Sequence, residues 1–287
     1  MGSRFAGRLL DAGFEVEGFN RSPGRAGHLD DLGLVRADSP RDLAGNCDVL
    51  LIMLWDSEAV LSVMQGDAGI LAGIRPGTVV VDLSTIEPHV SSALAVEVSR
   101  RGCTMLDCPV SGSLDAAEAG TVLVMAGGPA MSLVRVRPVL SALAAKIVHV
   151  AEANGSGLAL KLAINLQVAI QAVGWGEASL VIEEFGIDPV HAADIMLESV
   201  IASPMLKYRV PFTFEEPDEV WASAAQLRKD VAYAREITGA SSRAGGVALS
   251  LLDAVIADGR GDGEAAELML EAAGRGRSAR STRGSEK

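Results

Sequence analysis

The sequence feature that most constrains the fold is a change of pattern close to residue 150. Before it, apolar runs of strand length alternate with helix-forming segments, and the runs 48–54 and 78–82 are almost wholly apolar. Continuous apolar runs of this kind are typical of parallel strands that are covered on both faces. Strands that alternate with helices predict an α/β fold with a mostly parallel, doubly wound sheet. After residue 154 the pattern indicates helices alone, which predicts an all-α second half.

The predicted elements divide the chain into three parts. We expect strands over 14–20, 48–54, 78–82, 104–108, 122–126 and 146–150. We expect helices over 3–12, 25–33, 39–45, 58–64, 88–101, 129–144, 157–185, 188–200, 217–239 and 243–258, with a loop over 203–217. These elements predict an α/β domain at 1–153 and a helical domain at 154–273. The segment 274–287 consists mostly of Arg, Gly and Ser, so we expect a disordered tail there.

Charge and cysteine content exclude several classes of partner. The formal net charge of -12 argues against a nucleic-acid binder or a binder of anionic membranes. Cys47, Cys103 and Cys108 lie in apolar settings without paired spacing, which favours a reducing compartment and predicts no metal site. The first residues have the pattern of an amphipathic helix rather than that of a signal peptide. We therefore expect a soluble, cytoplasmic protein.

The nearly apolar segment from residue 155 to about residue 182 holds a cation and an amide one helical turn apart. Lys161 and Asn165 have the spacing i,i+4, so a helix places both on one face. A helix this apolar is expected to be buried nearly all round, although its polar residues interrupt it too often for a membrane span. A lysine there either extends to solvent, or has its pKa lowered by desolvation and transfers a proton. Position alone leaves both interpretations open.

Ligands of doubly wound sheets bind beyond the carboxyl ends of the strands. In this chain the loops at those ends are 20–22, 54–56, 84–85 and 109–113, and each carries small or hydrogen-bonding groups. Any one of them, taken alone, is an ordinary turn between a strand and a helix.

Four motifs in order give these loops a more specific meaning. They are Asp-Leu-Ser-Thr-Ile-Glu-Pro at 82–88, Asp-Cys-Pro-Val-Ser-Gly-Ser at 107–113, Gly-Leu-Ala-Leu-Lys-Leu-Ala-Ile-Asn at 157–165, and Lys229-Asp230. In this order and at these separations they resemble the β-hydroxyacid dehydrogenases, from residue 1 to about residue 270. That group contains 3-hydroxyisobutyrate dehydrogenase, tartronate semialdehyde reductase and the glyoxylate/succinic semialdehyde reductases. The resemblance implies a Rossmann domain, a helical domain that makes the contacts of a homodimer or homotetramer, and NAD(P)-linked oxidation of small hydroxy acids.

The resemblance also implies a role for each matched residue. Lys161 is the expected general acid/base, and Asn165 is expected to hold the substrate's oxygen. The substrate carboxylate is expected to meet a hydroxyl and backbone N–H groups of Ser111, Gly112 and Ser113. The expected cofactor-binding residues are Gly2, Met53, Leu54, Thr85 and Lys229.

The end of the first predicted strand indicates which cofactor is used. An enzyme that uses NAD places an acidic residue there, because a carboxylate bonds the ribose 2′-OH. This chain has Asn20 instead, followed by Arg21 and Ser22, a cation and a hydroxyl suited to a 2′-phosphate. We therefore expect NADP as the preferred cofactor, with NAD as the alternative.

The chain departs from the family pattern at four places. Trp55 stands where the family usually has proline, Ile164 where it often has asparagine, and Ser113 where it more often has glycine. A dinucleotide-binding domain is also expected to begin with a buried strand and Gly-x-Gly-x-x-Gly. Gly2 falls at the third glycine of that motif, so we expect a missing first strand that residues encoded upstream of Met1 would restore.

There are two alternatives to this function. The first is a catalytically impaired dinucleotide-binding or scaffold protein, which the missing glycines favour and the intact pair of Lys161 and Asn165 disfavours. The second is an imine reductase, which shares the fold but generally lacks a lysine at the position of Lys161. The larger 6-phosphogluconate dehydrogenases also share the fold but need a longer helical domain.

Overall fold

The computed structural model describes residues 1–22, 24 and 27–275, which form two compact units. The first unit extends from Met1 to Lys161, and the second begins at Leu162. The division falls inside one long helix, because the first residues of that helix pack with the first unit. Of the tail predicted at 274–287, residues 276–287 lie outside the described residues. The domain limits expected at 1–153 and 154–273 stay a prediction.

The first unit alternates strands and helices. In chain order its elements are α1 (Gly2–Asp11), β1 (Glu17–Gly18), β2 (Val35–Arg36), α2 (Pro40–Asn46), β3 (Val49–Ile52), α3 (Ser57–Met64), α4 (Ile70–Gly73), β4 (Val79–Asp82), α5 (Pro88–Ser99), β5 (Thr104–Asp107), β6 (Val110–Ser111), α6 (Leu114–Glu118), β7 (Val122–Gly127), α7 (Ala130–Ser141) and β8 (Ala144–Ala151). The long helix α8 (Ser156–Glu184) follows.

Most of the strands form one six-stranded sheet. Its order is β3-β4-β5-β7-β6, and β8 pairs with β7. Strands β3, β4 and β5 are parallel, as are β7 and β8, whereas β7 runs antiparallel to β5 and β6. Strands β1 and β2 form a separate parallel pair. The sheet therefore confirms the predicted parallel-dominated, Rossmann-type fold. The pattern does not predict that β7 and β8 run opposite to the other four strands.

Helices cover both faces of this sheet, as alternate residues of its strands show. Val79 and Val81 belong to a core cluster with residues of α1 and α7, whereas Val80 belongs to a second cluster with residues of α3 and α5. All four residues of β4 are buried. A strand that is covered on both faces has a continuous apolar sequence, so this strand can be predicted from the sequence.

The shortest elements are the ones that the sequence pattern misses. Strand β1 has two residues rather than the predicted seven, and β2 and β6 are not predicted. The helix expected over 25–33 is wrong for the part that is described, which holds a 3-10 turn at Gly27–Leu29; residues 25 and 26 lie outside the described part. Two-residue strands have no detectable period, so pattern analysis cannot find them.

The second unit is helical. It holds the rest of α8, then α9 (Pro189–Glu198), α10 (Pro204–Arg209), α11 (Ala224–Thr238), α12 (Arg243–Ala257) and α13 (Glu267–Ala272). The loop expected over 203–217 is wrong in part, because Ser203 accepts a hydrogen bond from the Leu206 N–H and thereby caps α10.

Helix α8 is less buried than its composition predicts. One side packs on the core of the second unit through Ala169, Ala172 and Trp175, but Leu180 and Val181 are 44% and 62% exposed. The prediction of burial nearly all round is therefore wrong for a single chain, because the elements of the second unit cover only one side of this helix. By length and composition alone, α8 could also cross a membrane, which is weak evidence since soluble core helices pass the same test.

Candidate active site

Two loops at the carboxyl edge of the sheet are tied together by side-chain hydroxyls. The Leu54 N–H, beyond the end of β3, donates to Ser84 Oγ, beyond the end of β4, at 2.9 Å. The Glu87 N–H donates to Ser57 Oγ at 3.1 Å. These bonds bring the loops that carry Met53, Leu54 and Thr85, three of the residues expected at the cofactor, to one edge of the sheet.

The start of α1 lies beside the first of these loops. A Cβ atom built on Gly2 would meet Met53 Cβ at 3.7 Å, an ordinary van der Waals contact. The helix begins at Gly2, and the first N–H groups of a helix are suited to a phosphate. These residues therefore fit the phosphate end of a dinucleotide.

The loop after β1 presents its polar groups to solvent. Asn20, Arg21 and Ser22 are all exposed. The Asn20 amide donates to the Ser22 carbonyl oxygen at 2.8 Å, which closes a tight turn around Arg21. An exposed guanidinium in such a turn is suited to bind a phosphate group.

The predicted substrate segment forms a short strand and a capped helix. Ser111 ends β6 and is half-buried. A Cβ atom on Gly112 would lie 3.0 Å from Val122 Cγ1 at a φ of +155°, so the close packing favours glycine. Ser113 Oγ accepts the Ala116 N–H at 3.1 Å and caps α6. The capping bond uses one lone pair of the Ser113 hydroxyl, and its proton can still be donated to a ligand. Ser111 has no such capping role.

Lys161 lies in the second turn of α8 and is half-buried. The start of this helix is fixed by Asp107, whose carboxylate accepts the N–H groups of Gly155 at 2.7 Å and Leu158 at 3.0 Å. Burial raises the pKa of the Asp107 carboxyl, and these N–H donors oppose that rise. The motif at 107–113 contains Asp107, but no local pattern predicts this contact across about 50 residues.

In the second unit, one buried carboxylate joins two of the predicted site residues. Asp230 is 2% exposed, and its Oδ2 accepts the Asn165 amide N–H at 2.6 Å. The Lys229 ammonium lies 3.0 Å from Asp230 Oδ1 and 5.1 Å from the centre of the Tyr233 ring. From the sequence, Asp230 is identified only as part of the motif Lys229-Asp230. The sequence feature that could have indicated its role is its position on α11: Asp230 is an acidic residue on the helix face whose other residues are apolar and buried.

The cysteines and other metal-binding side chains are placed as follows. All three cysteines are free thiols. Burial raises the pKa of Cys47 to about 11 and also raises the pKa of Cys108, so both are neutral near pH 7. Within residues 1–22, 24 and 27–275, no cluster of three or more His, Cys, Asp or Glu side chains could hold a metal ion.

Both halves of the chain match known families. Residues 1–151 match the NAD binding domain of 6-phosphogluconate dehydrogenase, and residues 155–271 match the family described as NAD-binding of NADP-dependent 3-hydroxyisobutyrate dehydrogenase. The chain is 33% identical to NAD-dependent L-serine dehydrogenase of Pseudomonas aeruginosa, over 90% of each chain. It is 34% identical to 3-hydroxyisobutyrate dehydrogenase of the same organism, over 69% of this chain and 66% of the relative.

Solved structures show the same fold. The Mycobacterium tuberculosis 3-hydroxyisobutyrate dehydrogenase with L-serine superposes with a TM-score of 0.83 at 27% identity, and 94% of each chain is covered. A structure described as Psf3 in complex with NADP+ and 2-OPP gives 0.85 at 27% identity, over 94% of this chain and 95% of that one. An imine reductase from Myxococcus stipitatus gives 0.64 at 21% identity, which shows the fold alone.

The family matches cover both halves of the chain, and the motifs that suggested the family lie within the matched residues. The chain therefore belongs to the β-hydroxyacid dehydrogenases and is an oxidoreductase that uses NAD(P).

Proposed function

We propose that this enzyme interconverts a small hydroxy acid and its aldehyde or keto form, in the manner of 3-hydroxyisobutyrate dehydrogenase, with NADP as the preferred cofactor. The observation that carries the proposal is the arrangement on α8. A half-buried lysine is followed one turn later by Asn165, an amide that the buried Asp230 carboxylate holds at 2.6 Å. A lysine, which accepts a proton as the neutral amine, and an oriented amide on the same helical face are suited to a hydroxyl that loses its proton.

Lys161 is the general acid/base of the proposed reaction. When bound, the nicotinamide cofactor supplies the hydride acceptor or donor. In the oxidising direction the C–H bond breaks to release a hydride, and Lys161 removes the proton of the hydroxyl on the same carbon. In the reducing direction Lys161 returns that proton, and its positive charge stabilises the developing alkoxide.

Asn165 orients the reacting oxygen. Because its Nδ2 donates to Asp230, the amide cannot rotate freely, and its remaining hydrogen-bonding groups point in a fixed direction. The ion pair with Lys229 supports the same carboxylate. Lys229 is therefore proposed both as a support for Asp230 and, from the family resemblance, as a contact to the cofactor.

The substrate carboxylate is bound by the segment 111–113. The Ser111 hydroxyl and the backbone N–H groups of Gly112 and Ser113 are its proposed donors. Gly2, Met53, Leu54 and Thr85 are proposed to line the cofactor, and Asn20, Arg21 and Ser22 to bind its 2′-phosphate. Relatives named for 3-hydroxyisobutyrate, L-threonate and L-serine support a substrate of this size and charge.

We further propose a cytoplasmic homodimer or homotetramer. Support comes from large apolar side chains left exposed on and after α8, such as Val181 and Phe185, which are 62% and 79% exposed. Apolar patches of this kind mark surfaces that bind another protein. A sedimentation experiment that found only the mass of one chain, 29.7 kDa, at micromolar concentration would contradict this assembly.

A substrate panel tests the proposed activity against the two alternatives. Purified enzyme is assayed with 3-hydroxyisobutyrate, L-threonate and L-serine with NADP+ or NAD+, and with semialdehydes or cyclic imines in the presence of NADPH. We expect reduction of NADP+ by at least one hydroxy acid. Tight dinucleotide binding without turnover of any compound would instead support a binding protein, and turnover of imines alone would support an imine reductase.

A further inference from the structure

The first turn of α8 is held against the sheet by a buried carboxylate. Asp107 is the last residue of β5 and is fully buried. Its two oxygens accept the N–H groups of Gly155 and Leu158, at 2.7 and 3.0 Å. The first N–H groups of a helix have no partner inside the helix, so a residue 48 positions earlier in the chain supplies the cap. A carboxylate at this end is also favoured by the helix dipole.

Two glycines make this contact possible. A Cβ atom on Gly127 would lie 2.7 Å from Asp107 Oδ1. A Cβ atom on Gly157 would lie 2.2 Å from the Met125 carbonyl oxygen and 2.9 Å from Asp107 Oδ2. Distances below 3 Å are clashes, so any side chain at these positions would push the helix away from the sheet. The helix start therefore packs directly on the strands.

A second side chain holds the residues that lead into the helix. The Asn154 amide donates to the Met105 carbonyl oxygen at 2.8 Å, and the Ser92 hydroxyl donates to the Asn154 carbonyl oxygen at 2.9 Å. Gly155, the next residue, has a φ of +92°, which L side chains rarely adopt. Hydrogen bonds to β5 thus fix the chain both before and inside the first turn of α8.

We propose that Asp107, assisted by Asn154, is a positioning residue for Lys161. The inference rests on the proposed role of Lys161 as the acid/base. Lys161 is three residues beyond Leu158, so it lies in the turn that directly follows the one capped by Asp107. All of these residues belong to the first unit. A displacement of about 1 Å of a reacting group can lower the rate by about 10²-fold, so the cap has a direct consequence for turnover.

The test compares Asp107→Asn with the parent enzyme. Asparagine keeps the size of the side chain but removes its charge. It also replaces one of the two accepting oxygens by an NH2 group, which cannot accept a hydrogen bond from the helix N–H. We expect kcat to fall by about 10- to 100-fold, while the Kd for NADP+, measured by fluorescence titration, stays within about threefold. Amide hydrogen exchange at residues 155–161 should become faster, which is a readout independent of activity.

Val136→Ala is the matched control. Val136 is fully buried on α7, in a core cluster of the same unit whose named residues include none of α8. The substitution destabilises the first unit without touching the cap, and we expect it to lower the melting temperature while kcat and the exchange at 155–161 stay at the parent values. A parallel loss of kcat in Val136→Ala would mean that instability alone explains the effect and would overturn the inference.

Two further variants distinguish a failure to fold from a failure of the positioning role, and both from a failure of the proposed function. If Asp107→Asn does not fold, Asn154→Ala, which removes only the bond to the Met105 carbonyl oxygen, decides the question; parent turnover in that variant overturns the inference. Lys161→Met tests the proposed function itself. Loss of turnover in Lys161→Met with parent kcat in Asp107→Asn overturns the positioning role alone, whereas full turnover in Lys161→Met overturns both.

Discussion

At the scale of single residues, Arg21 carries the proposed choice of cofactor. It is exposed in a turn that the Asn20 side chain closes, and no acidic residue stands among residues 20–22 to bond a ribose 2′-OH. In the proposed arrangement its guanidinium interacts with the 2′-phosphate, a group that NADPH has and NADH lacks.

We therefore expect Arg21→Ala to raise the KM for NADPH by about 10-fold or more, since a hydrogen bond to a charged group contributes about 1.5–3 kcal/mol. The KM for NADH should change less than twofold. Arg137→Ala removes the same charge from an exposed position on α7 and serves as the control, with no expected change for either cofactor. Equal effects of Arg21→Ala on both cofactors would remove the basis for NADP preference.

At the same scale, the contacts between residues far apart in the chain could not be predicted from the sequence. The spacing of Lys161 and Asn165 is local, so a helical pattern predicts that they share a face. The hydrogen bond from Asn165 to Asp230 joins residues 65 positions apart, and the Asp107 contacts join β5 to the start of α8. Contacts of this range depend on how the elements pack, which no local pattern contains.

At the scale of elements, buried strands were predicted well and short surface elements poorly. The run predicted at 78–82 is β4, and the run at 48–54 contains β3, because both are covered by helices and show as apolar runs. The reversal of β7 and β8 could not be predicted, because a strand pattern is the same in either direction.

The last helix that the structure describes in the second unit, α13, depends on a buried cation. Arg260, 5% exposed, follows α12 and donates to Glu267 at 2.9 Å, to Asp258 at 3.0 Å and to Glu271. These ion pairs fix α13 and the turn before it. Removal of the guanidinium would leave the mostly buried carboxylates of Glu267 and Glu271 without their cation.

We expect Arg260→Met to lower the free energy of unfolding of the second unit by about 3–5 kcal/mol, the usual cost of breaking a buried ion pair. Arg228→Ala is the matched control, because Arg228 pairs with Asp253 at 2.8 Å on an exposed surface. Such a pair contributes about 0.2–1 kcal/mol. Similar losses for the two variants in urea denaturation would contradict the structural role assigned to Arg260.

At the scale of the whole molecule, each unit brings a different part of the proposed chemistry. The first unit holds the residues proposed for the cofactor and the substrate carboxylate, together with Lys161. The second unit holds Asn165, Asp230 and Lys229. Helix α8 belongs to both units, and Lys161 and Asn165 stand one turn apart on it.

The central claim is that Lys161 transfers the proton of the reaction, and the rate of cofactor reduction by the Lys161→Met variant tests it most directly. Methionine keeps the length and apolar stem of lysine, so folding and cofactor affinity should match the parent. With the best hydroxy acid of the panel at saturation, we predict a loss of turnover of about 10²-fold or more, the scale of a positioned acid/base. Turnover within about threefold of the parent would contradict the claim.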